Sequence, residues 1–184
     1  MHISKPVNSN LRKARSLYLV GMMGCGKTTL GRRLAKESRL EFIDLDREIE
    51  RRNGVSVATI FEIEGEAGFR LRESQMLAEV SGMDGLVIAT GGGTVLSPAN
   101  RARLLASRNV VYLHATANLL YSRTRNDRSR PLLQVEDPLA KIRVLVEQRD
   151  PLYREVADVI VEAGCDPGVA INKLKLVLPA LCKH

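Results

Sequence analysis

Residues 21–28 read Gly21-Met22-Met23-Gly24-Cys25-Gly26-Lys27-Thr28, and their reading decides the fold. The apolar run Leu17-Tyr18-Leu19-Val20 precedes them, and the helix-like Leu30-Gly31-Arg32-Arg33-Leu34-Ala35 follows. This is Gly-x-x-x-x-Gly-Lys-Thr between a strand and a helix, the context that a phosphate-binding P-loop requires. Glycines let the backbone turn tightly and press its N–H groups against phosphate oxygens, where a Cβ would interfere. The helix that starts here aims its positive dipole end at the same oxygens. Gly24, Cys25, Gly26, Lys27, Thr28 and Thr29 are therefore the candidate nucleotide ligands. Lys27 would reach the β- and γ-phosphates, and the Thr28 hydroxyl would bind Mg²⁺. A bare glycine turn with an exposed lysine explains less of the spacing. A dinucleotide fingerprint fits worse, because Thr29 stands where its third glycine should fall. The stretch predicts a nucleoside triphosphate site.

A chain of 184 residues suits one domain, and 45% hydrophobic residues can fill its core. Aromatics make up only 4% with no Trp, so stacking platforms for single-stranded nucleic acid are scarce. The net charge of +7 is dispersed and is read as a field for acidic substrates, with no nucleic-acid partner expected. Cys25, Cys165 and Cys182 are odd in number and widely spaced, which points to reduced thiols in a cytoplasmic protein. Cys25, at a helix N-terminus beside Lys27, is expected to be thiol-sensitive. His2, His114 and His184 are isolated, and none is a candidate catalyst. Residues 1–15 are polar and basic, too polar for a signal peptide or a membrane span. They read most simply as a disordered basic tail, with a targeting role the alternative, before a single domain over 16–184, expected to be monomeric.

Short apolar runs alternate with helical patterns, which predicts βαβ units and a parallel sheet. Strands are expected at 16–21, 41–44, 86–90, 109–114 and 157–162. Helices are expected at 27–38, 46–53, 56–63, 66–81, 98–107, 116–125, 138–150 and 168–182. Residues 125–137, rich in charge and interrupted by Pro131, read either as a mobile lid or as an ordinary surface loop.

Several constellations gather around this frame. The second strand ends in Ile43-Asp44-Leu45-Asp46. Ligands of open α/β sheets sit beyond the carboxyl ends of strands, so these acids should lie near the P-loop. One could hold a water on Mg²⁺ and the other accept a hydroxyl proton, or one could merely cap the next helix. On the helix at 66–81, Glu73 falls on the apolar stripe of Phe69, Met76, Leu77 and Val80, with Arg70 in pairing reach. A site and an edge-of-core ion pair explain that carboxylate equally well. The strand Leu86-Val87-Ile88-Ala89-Thr90 runs into Gly91-Gly92-Gly93, which suits a ligand lying on main chain or a plain turn. Arg123, Arg125, Arg128 and Arg130 could close over a transferring phosphate or form a solvated loop. Arg149 could be only a partner for a helix C-terminus.

Taken together, the sequence resembles the shikimate kinase family of small P-loop kinases. The resemblance spans about residues 16–162. It is carried by the P-loop, Asp44-Leu45-Asp46, Phe69-Arg70-Leu71-Arg72-Glu73, the strand and turn through Val95, Arg130-Pro131-Leu132-Leu133 and Arg149-Asp150-Pro151-Leu152-Tyr153. It implies a three-layer α/β fold, with a five-stranded parallel sheet in the order 2-3-1-4-5 flanked by helices. It also implies a substrate-binding region near 44–82 and a mobile lid near 124–136. The implied activity is MgATP-dependent phosphorylation of the shikimate 3-hydroxyl, in aromatic amino-acid biosynthesis. By the same resemblance Asp46, Arg70, Gly91, Gly92, Gly93 and Arg149 bind shikimate, the two arginines holding its carboxylate. Asp46 is then the base, assisted in catalysis by Lys27 and Arg130. Asp44 is a water-mediated partner of Mg²⁺, and Glu73 orients Arg70. Arg130 contacts ATP phosphates, and Arg123 lies against adenine. Two departures stand out. Cys25 replaces a small Ser or Ala, and no basic or amide residue appears near Cys165 and Asp166 for adenine.

Overall fold

The computed structural model describes residues 15–127, 130–164 and 166–181. Five strands, β1 (Leu17–Val20), β2 (Glu41–Asp44), β3 (Leu86–Ala89), β4 (Val110–His114) and β5 (Val159–Glu162), form one sheet. Every pairing is parallel, and the order is β2-β3-β1-β4-β5, as the resemblance implies. Strands β1 and β3 are buried at every position. That is the pattern of parallel strands covered on both faces, and it explains their unbroken apolar runs. The edge strands β2 and β5 carry the exposed Glu41 and Glu162.

Among the described residues, seven α-helices surround the sheet: α1 (Lys27–Ser38), α2 (Leu45–Asn53), α3 (Val57–Val80), α4 (Pro98–Ser107), α5 (Ala117–Thr124), α6 (Pro138–Val156) and α7 (Pro167–Leu181). Helix α1 packs against α7, while α4 packs against α3 and α6, so the sheet lies between helical layers. Gly31 lets α1 approach the sheet closely, since a Cβ there would stand 2.6 Å from Phe42 and 2.9 Å from Leu19. Side-chain oxygens of Ser56, Ser97, Thr116 and Asp137 accept backbone N–H bonds at the starts of α3, α4, α5 and α6. Such caps are worth about 1 kcal/mol each.

The helices expected at 56–63 and 66–81 are both present within α3, parted by a kink at Gly65, whose backbone (φ 71°, ψ −178°) is not helical. One element differs from the sequence expectation. The helix expected to end at 150 runs through Pro151 to Val156. A proline inside a helix loses one backbone bond, but the turn beyond it buries Tyr153 and Val156 completely or nearly so. Burying those two side chains offsets the lost bond. Residues 1–14 of the expected tail, with Arg128, Cys165, Cys182 and His184, lie outside the described residues. Among the described residues, no helix is long and apolar enough to cross a membrane.

Register places the site. Leu19 and Asp44 both pair with Ala89, so β1, β2 and β3 finish side by side. The P-loop, the two acids and the glycine turn leave the sheet at that common edge.

Candidate active site

A cleft of about 670 Å³ opens over this edge. Its walls include the whole P-loop candidate set from Gly24 to Thr29, with Asp44, Asp46, Arg70, Gly91, Gly92, Gly93, Arg123 and Arg130. Glu73 and Arg149 do not line it; they are buried behind the glycine turn.

On the P-loop side, polar groups are satisfied largely by main chain. Gly26, at φ 104°, takes the left-handed conformation that opens α1, which glycine adopts without strain. Lys27, 8% exposed, donates to the carbonyls of Gly21 at 2.7 Å and Met22 at 2.9 Å. Arg123 donates to the carbonyls of Gly24, Cys25 and Ala163, tying the P-loop to the segment after β5. Cys25 is 1% exposed and belongs to the hydrophobic core, so its thiol is not offered to the cleft as the sequence suggested. What Cys25 can give a phosphate is its backbone N–H. Arg130 pairs with Asp127 at 2.8 Å, both half-buried. Asp166, where the sequence shows no basic or amide residue for adenine, accepts N–H bonds from Gly168 and Val169 at the start of α7.

Asp44 caps the next helix and also faces the P-loop. One oxygen accepts the Arg47 N–H and caps α2, and the other accepts the Thr28 hydroxyl at 2.6 Å. Two residues on, Asp46 places one carboxylate oxygen, Oδ1, fully buried and without a hydrogen-bond partner. Burial, then the nearby Glu73 and Asp44 carboxylates, push its pKa up to about 7, against the pull of Lys27 and Arg70.

Behind Asp46 lies an ion-paired wall. Glu73, 0% exposed, accepts from Arg70 at 2.9 Å and from the Thr94 hydroxyl at 2.5 Å. Arg70 also pairs with Glu66 and stacks on the Phe69 ring. The three glycines have a spatial explanation beyond flexibility. A Cβ on Gly91 would collide with Glu73 Oε1 and stand 2.8 Å from Asp46 Oδ1, and one on Gly93 would collide with the Arg70 guanidinium. Gly92 is different, because its carbonyl accepts from Arg149 Nη1 at 3.2 Å and from the Tyr153 hydroxyl. Arg149 is therefore no helix-end partner; it reaches inward from the middle of α6. Sequence reasoning assigned no role to Thr94 and Tyr153. The one available signal was that Tyr153 lies one helical turn after Arg149, on the same face.

A P-loop before α1, acids where β2 passes into α2, and Arg123 and Arg130 in the cleft wall define a phosphoryl-transfer enzyme of the P-loop kinase class. The family model described as shikimate kinase matches residues 23–177. A curated shikimate kinase of Aromatoleum aromaticum is 60% identical over 173 residues, covering 91% of this chain and 99% of that protein. A solved shikimate kinase from Acinetobacter baumannii, in complex with shikimate, superposes with a TM-score of 0.85 at 46% identity, covering 91% of this chain and 94% of its own. A gluconokinase from Sinorhizobium meliloti shares the fold alone, at 15% identity and a TM-score of 0.59 over 94% of this chain and 96% of its own. The chain belongs to the shikimate kinase family, whose members use ATP as phosphoryl donor.

Proposed function

We propose that this chain, a cytoplasmic monomer, transfers the γ-phosphoryl group of ATP to the 3-hydroxyl of shikimate, giving shikimate 3-phosphate and ADP for aromatic amino-acid biosynthesis. The observation that carries the mechanism is Asp46, a carboxyl group with pKa pushed up to about 7 and one buried, unpartnered oxygen at the cleft floor. Such a group is tuned to accept a proton near neutrality. As the 3-hydroxyl oxygen attacks the γ-phosphorus, its proton passes to Asp46 and the bond to the ADP oxygen breaks. Arg70, from the cleft wall, and Arg149, from behind Gly92, hold the shikimate carboxylate, with Glu73 fixing Arg70. Gly91, Gly92 and Gly93 let the ring approach main chain.

Lys27 and the N–H groups from Gly24 to Thr29 bind the phosphates. Arg130 closes with segment 124–136 to neutralise transferring charge, and Arg123 lies against adenine. The acceptor is seated by the region at 44–82. Thr28 Oγ1 and Asp44 Oδ2, 2.6 Å apart, are hard oxygen donors and fit Mg²⁺, Asp44 acting through a water. Bound there, the ion would supply charge neutralisation for the phosphates.

A coupled ADP-release assay tests the reading. Shikimate should stimulate release far more than gluconate, AMP or CMP. Saturable turnover of one of those three, with none of shikimate, would leave only the P-loop kinase class standing.

A further inference from the structure

Tyr153 is a fully buried tyrosine whose hydroxyl touches the acceptor wall from behind, and no step of the mechanism above uses it. Its hydroxyl donates to the carbonyl of Gly92, the same oxygen that accepts from Arg149 Nη1. Its ring stacks on Tyr112 of β4, centroids 4.9 Å apart. Tyr112 in turn donates to Asp150, which pairs with Arg154 at 2.6 Å. Burial holds the Tyr153 hydroxyl far above its usual pKa, so it remains a donor across the working range. Arg149 and Tyr153 lie one turn apart on α6, and the helix continues through Pro151 to bring the tyrosine there.

From these contacts we propose that Tyr153 is a positioning residue for the acceptor. It fixes the Gly92–Gly93 peptide and, through the shared carbonyl, the Arg149 guanidinium. The proposal rests on the reading of Arg149 as a carboxylate contact. In a trans peptide the C=O and the following N–H point in opposite directions. Anchoring the Gly92 carbonyl toward α6 therefore sets the direction of the Gly93 N–H as well. The shared carbonyl carries two donors, one neutral and one charged. Without the tyrosine it would retain only the longer arginine bond, and the guanidinium would be free to follow it.

The test compares Tyr153→Phe, Tyr112→Phe and Arg149→Ala in steady-state kinetics, with thermal melts on each. Tyr153→Phe keeps the stacked ring and removes only the hydroxyl. It should raise the shikimate KM by about tenfold, the scale of one buried hydrogen bond, with kcat within about threefold and the ATP KM unchanged. It should also shrink the preference for shikimate over its uncharged carboxamide. Tyr112→Phe loses a comparable bond in the same stack and should leave the shikimate KM unchanged. Replacing Tyr153 by p-aminophenylalanine restores an N–H donor at the same place and should return the KM toward that of the parent. Three results would overturn the proposal: an unchanged shikimate KM in Tyr153→Phe, equal KM changes for both substrates, or loss of the folded state. An Arg149→Ala variant with parental shikimate KM would instead sink the carboxylate reading on which the proposal stands.

Discussion

The two sides of the cleft are built on opposite principles. The donor side centres on one contiguous segment, the P-loop, whose Lys27 is held by the carbonyls of its own loop. The acceptor side takes Asp46 from α2, Arg70 and Glu73 from α3, the glycine turn from beyond β3, and Arg149 and Tyr153 from α6. There the polar groups are held by each other, and one oxygen of Asp46 is held by nothing. A loop that satisfies itself can work wherever a strand meets a helix. A wall of mutually dependent side chains works only when several distant elements dock correctly. The second arrangement can discriminate among acceptors, because an ill-matched ligand leaves buried charges unpaired.

The sharpest break of this contrast is Lys27→Ala. Removing the charge at the phosphates should lower kcat on the order of a thousandfold. The variant should still fold but melt somewhat lower, because the buried carbonyls of Gly21 and Met22 lose a donor. Near-parental turnover in a folded variant would end the donor-side reading.

On the acceptor side, Asp46→Asn should lower kcat by about a hundredfold or more while stabilising the protein. The folded state binds the Asp46 proton more tightly than the unfolded chain, whose value is near 3.8, so ionising it opposes folding. That cost begins as pH rises past 4 and is complete above about 7, where it is on the order of 4 kcal/mol. The variant should thus melt higher than the parent at pH 8, with the gap closing toward pH 4. Parental kcat/KM should rise with pH through a midpoint at about 7. Melting curves that run parallel across this range would show that Asp46 is not a strained carboxylate.

A subtler separation comes from the arginines. Arg70→Ala and Arg149→Ala should raise the shikimate KM by about ten- to a hundredfold. Arg70→Ala should also cost about 3 kcal/mol of stability, because Glu73 is left as a buried, unpaired charge. Arg130→Ala should mainly lower kcat, and its half-exposed pair with Asp127 should contribute under about 1 kcal/mol. The reverse assignment of KM and kcat effects would mean that the ligands of these arginines are exchanged. The smallest effect is expected at Cys25. With the thiol 1% exposed, maleimide labelling should proceed only as fast as the protein opens, and MgATP should protect only by slowing that opening. Rapid labelling of the native protein would place the thiol at the surface.

The same contrast explains what the sequence made legible. The P-loop could be read because its chemistry is local, with glycines, lysine and threonine at fixed offsets between a strand and a helix. The sheet followed from apolar runs such as Leu86-Val87-Ile88-Ala89, long enough to be buried on both faces. Asp44 and Asp46 could be named but not told apart, since capping and catalysis ask for the same residue type. The structure sets them apart by the Thr28 contact of one and the orphaned oxygen of the other. Helix α6 was cut short because proline is a local stop signal, whereas what carries the helix onward is tertiary burial of Tyr153 and Val156. Tyr153 and Thr94 stood in quoted motifs but without a role for that reason, as their partners Gly92 and Glu73 are near only in the folded chain. Cys25 was misread in direction, because spacing gives a residue's place on a loop and not the way its side chain turns.

The glycine turn has a further consequence, for the protein's history. Every amino acid one base change away from a glycine codon carries a Cβ. At residues 91 and 93 that first carbon already coincides with Glu73 or with Arg70, whereas at 92 it would meet the Met23 nitrogen at 3.2 Å and Arg149 at 3.8 Å. Positions 91 and 93 are thus dead ends for drift: no single mutational step leads off them without displacing a charged residue of the acceptor wall. Lineages that alter the acceptor must first change the side chains lodged in the hollow, and only then the glycines that make it.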